Sequence, residues 1–553
     1  MSEFHTAEPT GPGSTRAAAP WQRWGPAALG LAVLCVWAIH ARAWQFLCDD
    51  AYIAFRYADN LARTGELSFN PGYERVEGFT SPLWVVVLAG LARVGLAPPA
   101  VAPALTWIGS GLGLGGVVAL ARGLAGRHRQ PWTSLDILPA LGLALLPEYM
   151  VWSGSGLETS TTAAAVLWSM WAFHRGNWRL AAGLAASSAL LRLDALVPLC
   201  CFAAASLGWR QIAGPTALGS GSPRRASVLV ALAVFLGPVL LHFVWRHAYY
   251  GTWWPNTWHV KQHGVLLRDR FGVAYVASWA QHLALWGWVP LAAWVRPRHV
   301  VAALPLGGVV VYAWWVGGDF MGYSRFLVLG TALFATLVAW LLHDAVGWAR
   351  RRWPETVRRP SVVRAGWLLA IAVGAGLGAS AHARHARDLA GGWLEKRFES
   401  VQAMHEFAAI RVAVGTEMAA VLPPETRLTV GAAGAVPYAS RLYAIDAYGL
   451  VDPRADELKP AKGKRARPGH QLRASLEHLH EYQPDLLCHL GAQGPKRPSS
   501  KLARRRSGSD RYVWACLDYP RVVDGRAGAY FEAGVYCCLR RRDHAVGPFG
   551  GGS

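Results

Sequence analysis

CDDAYIAFRYADNLARTGELSFNPGYERVEG, Cys48 to Gly78, is the segment on which the assignment of the whole chain turns. It follows an apolar run, Trp24 to Trp44, and crowds Asp49, Asp50, Arg56, Asp59, Arg63, Glu66, Glu74, Arg75 and Glu77 just beyond it. Adjacent carboxylates at a bilayer surface are costly to keep ionised unless a cation meets them. Asp49 and Asp50 therefore suggest a site for a metal, for a phosphate-bearing ligand with its metal, or for a proton. A solvated loop after a membrane anchor is the plain alternative.

The remainder of the chain places that segment in a membrane protein. Of 553 residues, 53% are hydrophobic and only 16% charged, with 28 tryptophans. Apolar runs of bilayer length recur at 25–44, 101–121, 134–152, 158–174, 178–193, 195–209, 227–245, 272–290, 299–316, 326–344 and 365–382, about eleven spans by length and hydropathy. The run Ser81 to Leu96 carries Arg93 and ends at Pro98 and Pro99, and is read as a helix lying in the interface. The net charge of +21 does not indicate nucleic-acid binding. Many arginines sit in short connections between spans, where the positive-inside rule accounts for them. Others lie in KGKRARP (Lys462 to Pro468) and KLARRRSGSDR (Lys501 to Arg511), which read as flexible basic loops.

With the amino terminus inside, Arg122, Arg127, Arg129, Arg175, Arg179, Arg210, Arg296, Arg298 and Arg350 to Arg352 all fall on the cytoplasmic side. The opposite connections then hold the Asp49–Asp50 loop, SGLET (Ser155 to Thr159), RLD (Arg192 to Asp194), RHAYYGTWWPNTWHVK (Arg246 to Lys261) and VGGDFMGYSR (Val316 to Arg325). Each has a plain reading beside the functional one. Glu158 and Asp194 would cap helices, Trp253, Trp254 and Trp258 would anchor at the interface, and Lys261 would snorkel. Arg325 after a Gly-rich turn suits either lipid headgroups or a bidentate phosphate grip. His259, His478, His480 and His489 show no metal-ligand spacing.

The expected organisation is a cytoplasmic tail (1–24), a helical transmembrane domain (25–384) with a catalytic first outer loop (45–80), a soluble extracytoplasmic α/β domain (385–545) and a flexible tail (546–553). In the α/β domain, Thr426 to Pro453 reads as strand, Gly-rich turn, helix or loop, and strand. GAAG there lacks the full dinucleotide-binding pattern. Asp446 and Asp452 flank Gly449, and either reach the membrane-surface site or shape a turn. Cys488, Cys516, Cys537 and Cys538 allow three disulfide pairings among which sequence does not choose.

Six ordered blocks carry a resemblance: DDAYIAFRYADNLARTGELSFNPGYERVEGFTSPLW, GLET, LRLDAL, WWPNTWHVK, GGDFMGYSRFLV and AAGAVPYASRLYAIDAYGLVDP. Over about residues 25 to 455 the chain resembles the integral-membrane GT-C glycosyltransferases. Within them it is most similar to the branch containing the mycobacterial terminal arabinofuranosyltransferase and its bacterial relatives, some linked to flagellar motor control. Past residue 455 no resemblance is found.

The resemblance implies a polyprenyl-phosphate-linked sugar donor, with arabinofuranose as the sugar by analogy with one branch, and transfer to a cell-envelope glycan or lipid outside the cytoplasmic membrane. It implies a catalytic carboxylate at Asp49 or Asp50. On chemical grounds Asp49 is assigned as base and Asp50 as acceptor or metal contact, with the roles exchangeable. Arg325, Lys261 and Arg56 would neutralise the departing phosphate. Glu77, Asn256, Asp319, Glu158, Trp254, Tyr57 and Asp446 would hold sugar or acceptor. A divalent ion, Mg2+ or Mn2+, on Asp50 and Asp319 stays open. The rival class is a non-enzymatic lipid or solute transporter or a motor-linked scaffold, for which polar residues on broken helices and internal repeats are expected. No repeat is found.

Overall fold

The computed structural model describes residues 20–214, 225–261, 268–394, 398–460, 472–526 and 530–549. Among them, six helices are long and apolar enough to cross a bilayer: Gly25–Ala43, Pro98–Leu124, Leu193–Ala213, Arg225–Tyr250, Arg325–Arg352 and Pro360–Leu389. A seventh crossing arises if Ser134–Leu145 and Pro147–Ser153, bent by 75°, act as one. Pro147 accounts for the bend, because it lacks the amide proton that would continue the first helix. The chain is thus a multi-pass membrane protein.

These helices coincide with seven of the eleven expected spans, and the other four differ in length. Thr159–His174 and Val300–Trp315 have 16 residues each, about 24 Å of helix, and Trp178–Leu191 has 14. The run 272–290 divides into a helix, Val273–His282, and a 3-10 stretch, Leu285–Trp294, interrupted by Pro290. Pro82–Arg93 is a helix of 12 residues, as suits the interfacial reading of that segment. The acidic segment itself corrects the expected loop. It opens into a 16-residue helix, Asp49–Thr64. Two acids in the first turn complement the helix dipole, and Gly65, at φ 78°, closes the other end in the left-handed region that glycine tolerates.

Polar groups sort by bundle end. At one end Asp136 is met by Arg122 at 2.6 Å, Arg127 at 3.3 Å and His343 at 3.1 Å, and Asp344 by Arg298 at 2.5 Å and His299 at 3.0 Å. The other end carries Glu158, Arg192, Arg246 and Arg325, the last at the start of the helix whose far turns hold His343 and Asp344. The arginine-bearing connections and the unusual polar segments therefore occupy opposite ends.

The C-terminal α/β region covers the second end. Its five-stranded sheet runs in the order Tyr443–Asp446, Arg427–Val430, Leu486–Gly494, Gly534–Arg541, Tyr512–Tyr519, parallel across the first three strands and antiparallel beyond. The expected strand, Gly-rich turn, helix and strand are Arg427–Val430, the turn to Gly434, Ala435–Ser440 and Tyr443–Asp446. Neighbouring residues on one strand, Cys537 and Cys538, bridge to the strands on either side, giving Cys516–Cys537 and Cys488–Cys538. Of the basic loops, Lys501 to Arg511 instead contains a helix, Ser500–Ser507, and Lys462 to Pro468 lies outside the described residues.

A buried ion pair fastens this region to the bundle. Asp388, near the end of Pro360–Leu389, holds Arg526 at 2.9 Å, with side-chain exposures of 0% and 1%. The same carboxylate accepts from the backbone N–H of Val401 at 2.8 Å and Gln402 at 3.2 Å, the start of the domain's long helix. Removing one partner strands a buried charge, which costs about 3–5 kcal/mol. Arg526→Met is accordingly expected to lower the thermal midpoint of the detergent-purified protein and to open the domain junction to protease. An unchanged midpoint would show that the pair does not hold the junction.

Candidate functional site

A cavity of about 1840 Å³ lies between the bundle end and the α/β region. Asp49, Asp50, Glu158, Trp254, Asp319, Arg325 and Asp446, which the sequence singles out, all line it. They come from segments far apart in the chain: all but Asp446 stand at one end of the helical bundle, and Asp446 ends a strand of the sheet that covers it.

The two adjacent carboxylates divide their surroundings. Asp49 is partly buried against the Gly-rich turn: Oδ2 accepts from the Gly434 N–H at 3.1 Å and Oδ1 from the Ala435 N–H at 2.9 Å. Burial pushes its carboxyl up to about 6, against the pull of the Ala435 N–H and of the Arg411 guanidinium. Asp50, one residue on, is 39% exposed and meets Arg325 Nη1 at 3.3 Å. Arg325 turns Nη2 to Asp319 at 2.7 Å, while its Nε is buried without a partner.

A second guanidinium stands beside the first. Arg192 takes Asp194 with two hydrogen bonds, 3.0 and 2.9 Å, and Glu158 with a third at 3.2 Å. The Phe326 ring lies against both arginines, 5.4 Å from Arg192 and 5.2 Å from Arg325. Glu158 stands at the N-cap of Thr159–His174, but its side chain makes no capping bond, and both it and Asp194 serve Arg192. Trp254 and Trp258 stack at 5.4 Å on the cavity rim and stay half exposed, so they are available to a ligand as well as to the interface.

Several expected site residues are not brought there. Arg56 is spent on carbonyls: it donates to Phe69 O at 2.7 Å, to Leu442 O at 2.9 Å and to Pro437 O, and also to Asn70 Oδ1 at 2.9 Å. It ties the Asp49–Thr64 helix to the α/β region and is not among the residues that line the cavity. The Tyr57 hydroxyl donates to Val76 O at 2.8 Å and accepts from the Gly78 N–H at 3.0 Å, closing the turn after its own helix. Glu77 is held by Arg246 through contacts of 2.5 and 3.2 Å behind the cavity wall. Asn256 Nδ2 donates to the carbonyls of Gly449, Leu450 and Asp452 at 2.8 to 3.0 Å, so it is a docking residue. Lys261 ends the short helix Asn256–Lys261, and its side chain lies outside the described residues.

Asp446 lines the cavity but shapes a turn, accepting from the N–H groups of Tyr448, Leu450 and Val451 at 2.8, 2.7 and 3.3 Å. Burial raises its carboxyl to about 6 although these bonds oppose it. Asp452 is bonded to His478 at 2.7 Å and Tyr482 at 2.6 Å within the α/β region. His478 is thus structural, as its spacing indicates.

The donor set does not fit a divalent ion on Asp50 and Asp319. The group between those carboxylates is the guanidinium of Arg325, and a cation there would have to displace it. Among the described residues, no cluster of three or more His, Cys, Asp or Glu side chains has metal-binding geometry.

Arg411, Lys459 and Arg473 are among the cavity residues that escape the sequence reading, and Arg192 and Arg246 are visible there only as the first residues of RLD and RHAYYGTWWPNTWHVK. Arg411 sits within a long, mostly apolar helix, Val401–Val421, and only the packing of that helix against the sheet turns it toward Asp49.

Residues 397–527 match the family model of a domain of unknown function (DUF8728). No curated protein matches the chain. Two solved structures share its fold, ArnT from Cupriavidus metallidurans bound to undecaprenyl phosphate and the same protein in the apo state. In each case the TM-score is 0.52 and the identity 14%, over 92% of this chain and 97% of that one. Neither structure shows the arabinofuranosyltransferase branch. The chain has a fold like that of ArnT.

Proposed function

We propose that this protein is a glycosyltransferase that moves a sugar from a polyprenyl-phosphate donor to a cell-envelope acceptor on the outer face of the cytoplasmic membrane. The observation that carries the reading is the convergence of Asp49, Asp50, Asp319 and Arg325 in a cavity bounded by membrane helices on one side and the α/β region on the other. The ArnT structure with undecaprenyl phosphate supports a lipid-linked phosphate as donor. Arabinofuranose as the sugar rests on the motif resemblance alone.

In this reading the acceptor hydroxyl gives its proton to Asp49 as its oxygen bonds to the anomeric carbon. The bond from that carbon to the phosphate oxygen breaks, and its electron pair leaves with polyprenyl phosphate. Arg325 meets the developing phosphate charge. Its looser contact, to the part-exposed Asp50, gives way to the phosphate, while Asp319 at 2.7 Å keeps the guanidinium aimed. Asp50, once released, faces the acceptor. Arg192, saturated by three carboxylate bonds, positions the wall. A carrier would need its polar groups along the transport path, whereas these gather at one end of the bundle.

The test is incubation of the purified protein with a panel of polyprenyl-phospho-sugars, with products identified by mass. Arg325→Ala is expected to lower turnover by about 10²–10³-fold with Asp49 and the fold intact. Turnover in Arg325→Ala equal to wild type would reject the phosphate role, and no transfer from any donor would reject the activity.

A further inference from the structure

Two walls of the cavity differ in how their cations are paired. On the bundle side every guanidinium is matched: Arg192 by Glu158 and Asp194, Arg325 by Asp50 and Asp319, and Arg246 by Glu77. On the α/β side Arg411, Lys459 and Arg473 also line the cavity, and among the described residues none has a carboxylate within ion-pair distance. Arg411 makes only neutral contacts, to Phe407 O at 3.3 Å and Gln493 Oε1 at 3.4 Å, with its guanidinium over the Phe407 ring. Of the acids on that wall, Asp446 is occupied by backbone N–H groups, and Glu399 acts on Arg411 only through space.

The placement of Lys459 and Arg473 is a second, independent observation. They are directly opposite partners in a two-stranded antiparallel ladder, Lys459–Pro460 with Leu472–Arg473. Like charges facing each other across a ladder are destabilising. A pair kept there, at the mouth of a cavity and without a counter-charge, is relieved when an anion enters between them.

We propose that the α/β end of the cavity is a subsite for an anionic acceptor: a glycan carrying a phosphate or carboxylate near the hydroxyl that receives the sugar, gripped by Lys459, Arg473 and Arg411. The proposal rests on the glycosyltransferase reading and specifies its acceptor class. Arg411, close enough to Asp49 to act on its charge, would set the anion next to the base. A neutral glycan would leave Lys459 and Arg473 unmatched.

The test uses the full-length protein in detergent at fixed ionic strength, with glucose 6-phosphate, glucuronate and glucose as probes and saturation-transfer NMR or calorimetry as readout. Wild type is expected to bind at least one charged sugar about tenfold or more tighter than glucose. The preference should vanish in K459Q/R473Q and weaken in R411Q, with undecaprenyl phosphate binding unchanged. Preference for glucose 6-phosphate identifies the anion as phosphate, and preference for glucuronate identifies it as carboxylate. Glucose binding as tight as either charged sugar, or a preference that survives in K459Q/R473Q, would overturn the subsite. If the preference and its loss are observed but no lipid-linked sugar is ever transferred, the anion site stands and the enzymatic reading falls.

Discussion

Asp49→Asn is expected to lower sugar transfer by about 10²–10⁴-fold, the usual contribution of a positioned general base, with insertion and folding preserved. The carboxylate is suited to that role by its surroundings. Two backbone N–H groups fix its orientation, and burial raises its proton affinity to about 6, near the working pH. Transfer by the wild type should therefore fall as pH drops through about 6, since the base must be ionised. The residual activity of Asp49→Asn should lack that limb.

The same proton has a stability signature of defined sign. With the folded value raised above that of the unfolded chain, the native state binds more protons over that interval, so stability rises as pH falls. The contribution is full below the ordinary carboxylate range and is lost as pH rises through about 6. The difference in thermal midpoint between wild type and Asp49→Asn should thus shift in favour of wild type on acidification from pH about 8 to about 4. A pH-independent difference would show that Asp49 titrates alike in both states. Wild-type turnover in Asp49→Asn would remove it as the base.

Gly434→Ala is expected to be nearly as damaging, although position 434 is 385 residues from Asp49 in sequence. A Cβ at Gly434 would fall on the main-chain oxygen and the carboxylate of Asp49. Neither can withdraw cheaply, because Asp49 begins a helix whose following residues, Ala51 to Ala58, are buried. The turn must back away, breaking both N–H contacts and displacing the base, and misplacement of about 1 Å at a reacting group costs on the order of 10² in rate. Gly494→Ala, where nothing lies within 4 Å, is the matched control in the same region and should retain activity. Equal activity in the two variants would show that the turn does not position Asp49. Loss confined to Gly434→Ala, with disulfides and thermal midpoint retained, would locate the effect at the contact.

The sequence by itself determined the class of this protein, because spanning a bilayer leaves a record in composition and length that needs no partner to be read. It also determined which polar segments share one end of the bundle, through the arginines at the other, and so it found Asp49, Asp50, Asp319 and Arg325 as a set. The α/β unit was legible from the Gly-rich turn between two short apolar runs. Chain direction and hydropathy are local quantities, and these features follow from them.

Tertiary structure alone decided which of those residues face the cavity. Arg56, Tyr57, Glu77 and Asn256 are of the right chemical type but are consumed by carbonyls, a hydroxyl turn or another arginine, since a docked domain must satisfy the backbone groups it buries. Disulfide pairing belongs to the same category, because Cys537 and Cys538 choose partners by strand order. So does the cation wall of Arg411, Lys459 and Arg473: residues in a helix and a hairpin become one surface only when sheet and bundle close around the same space.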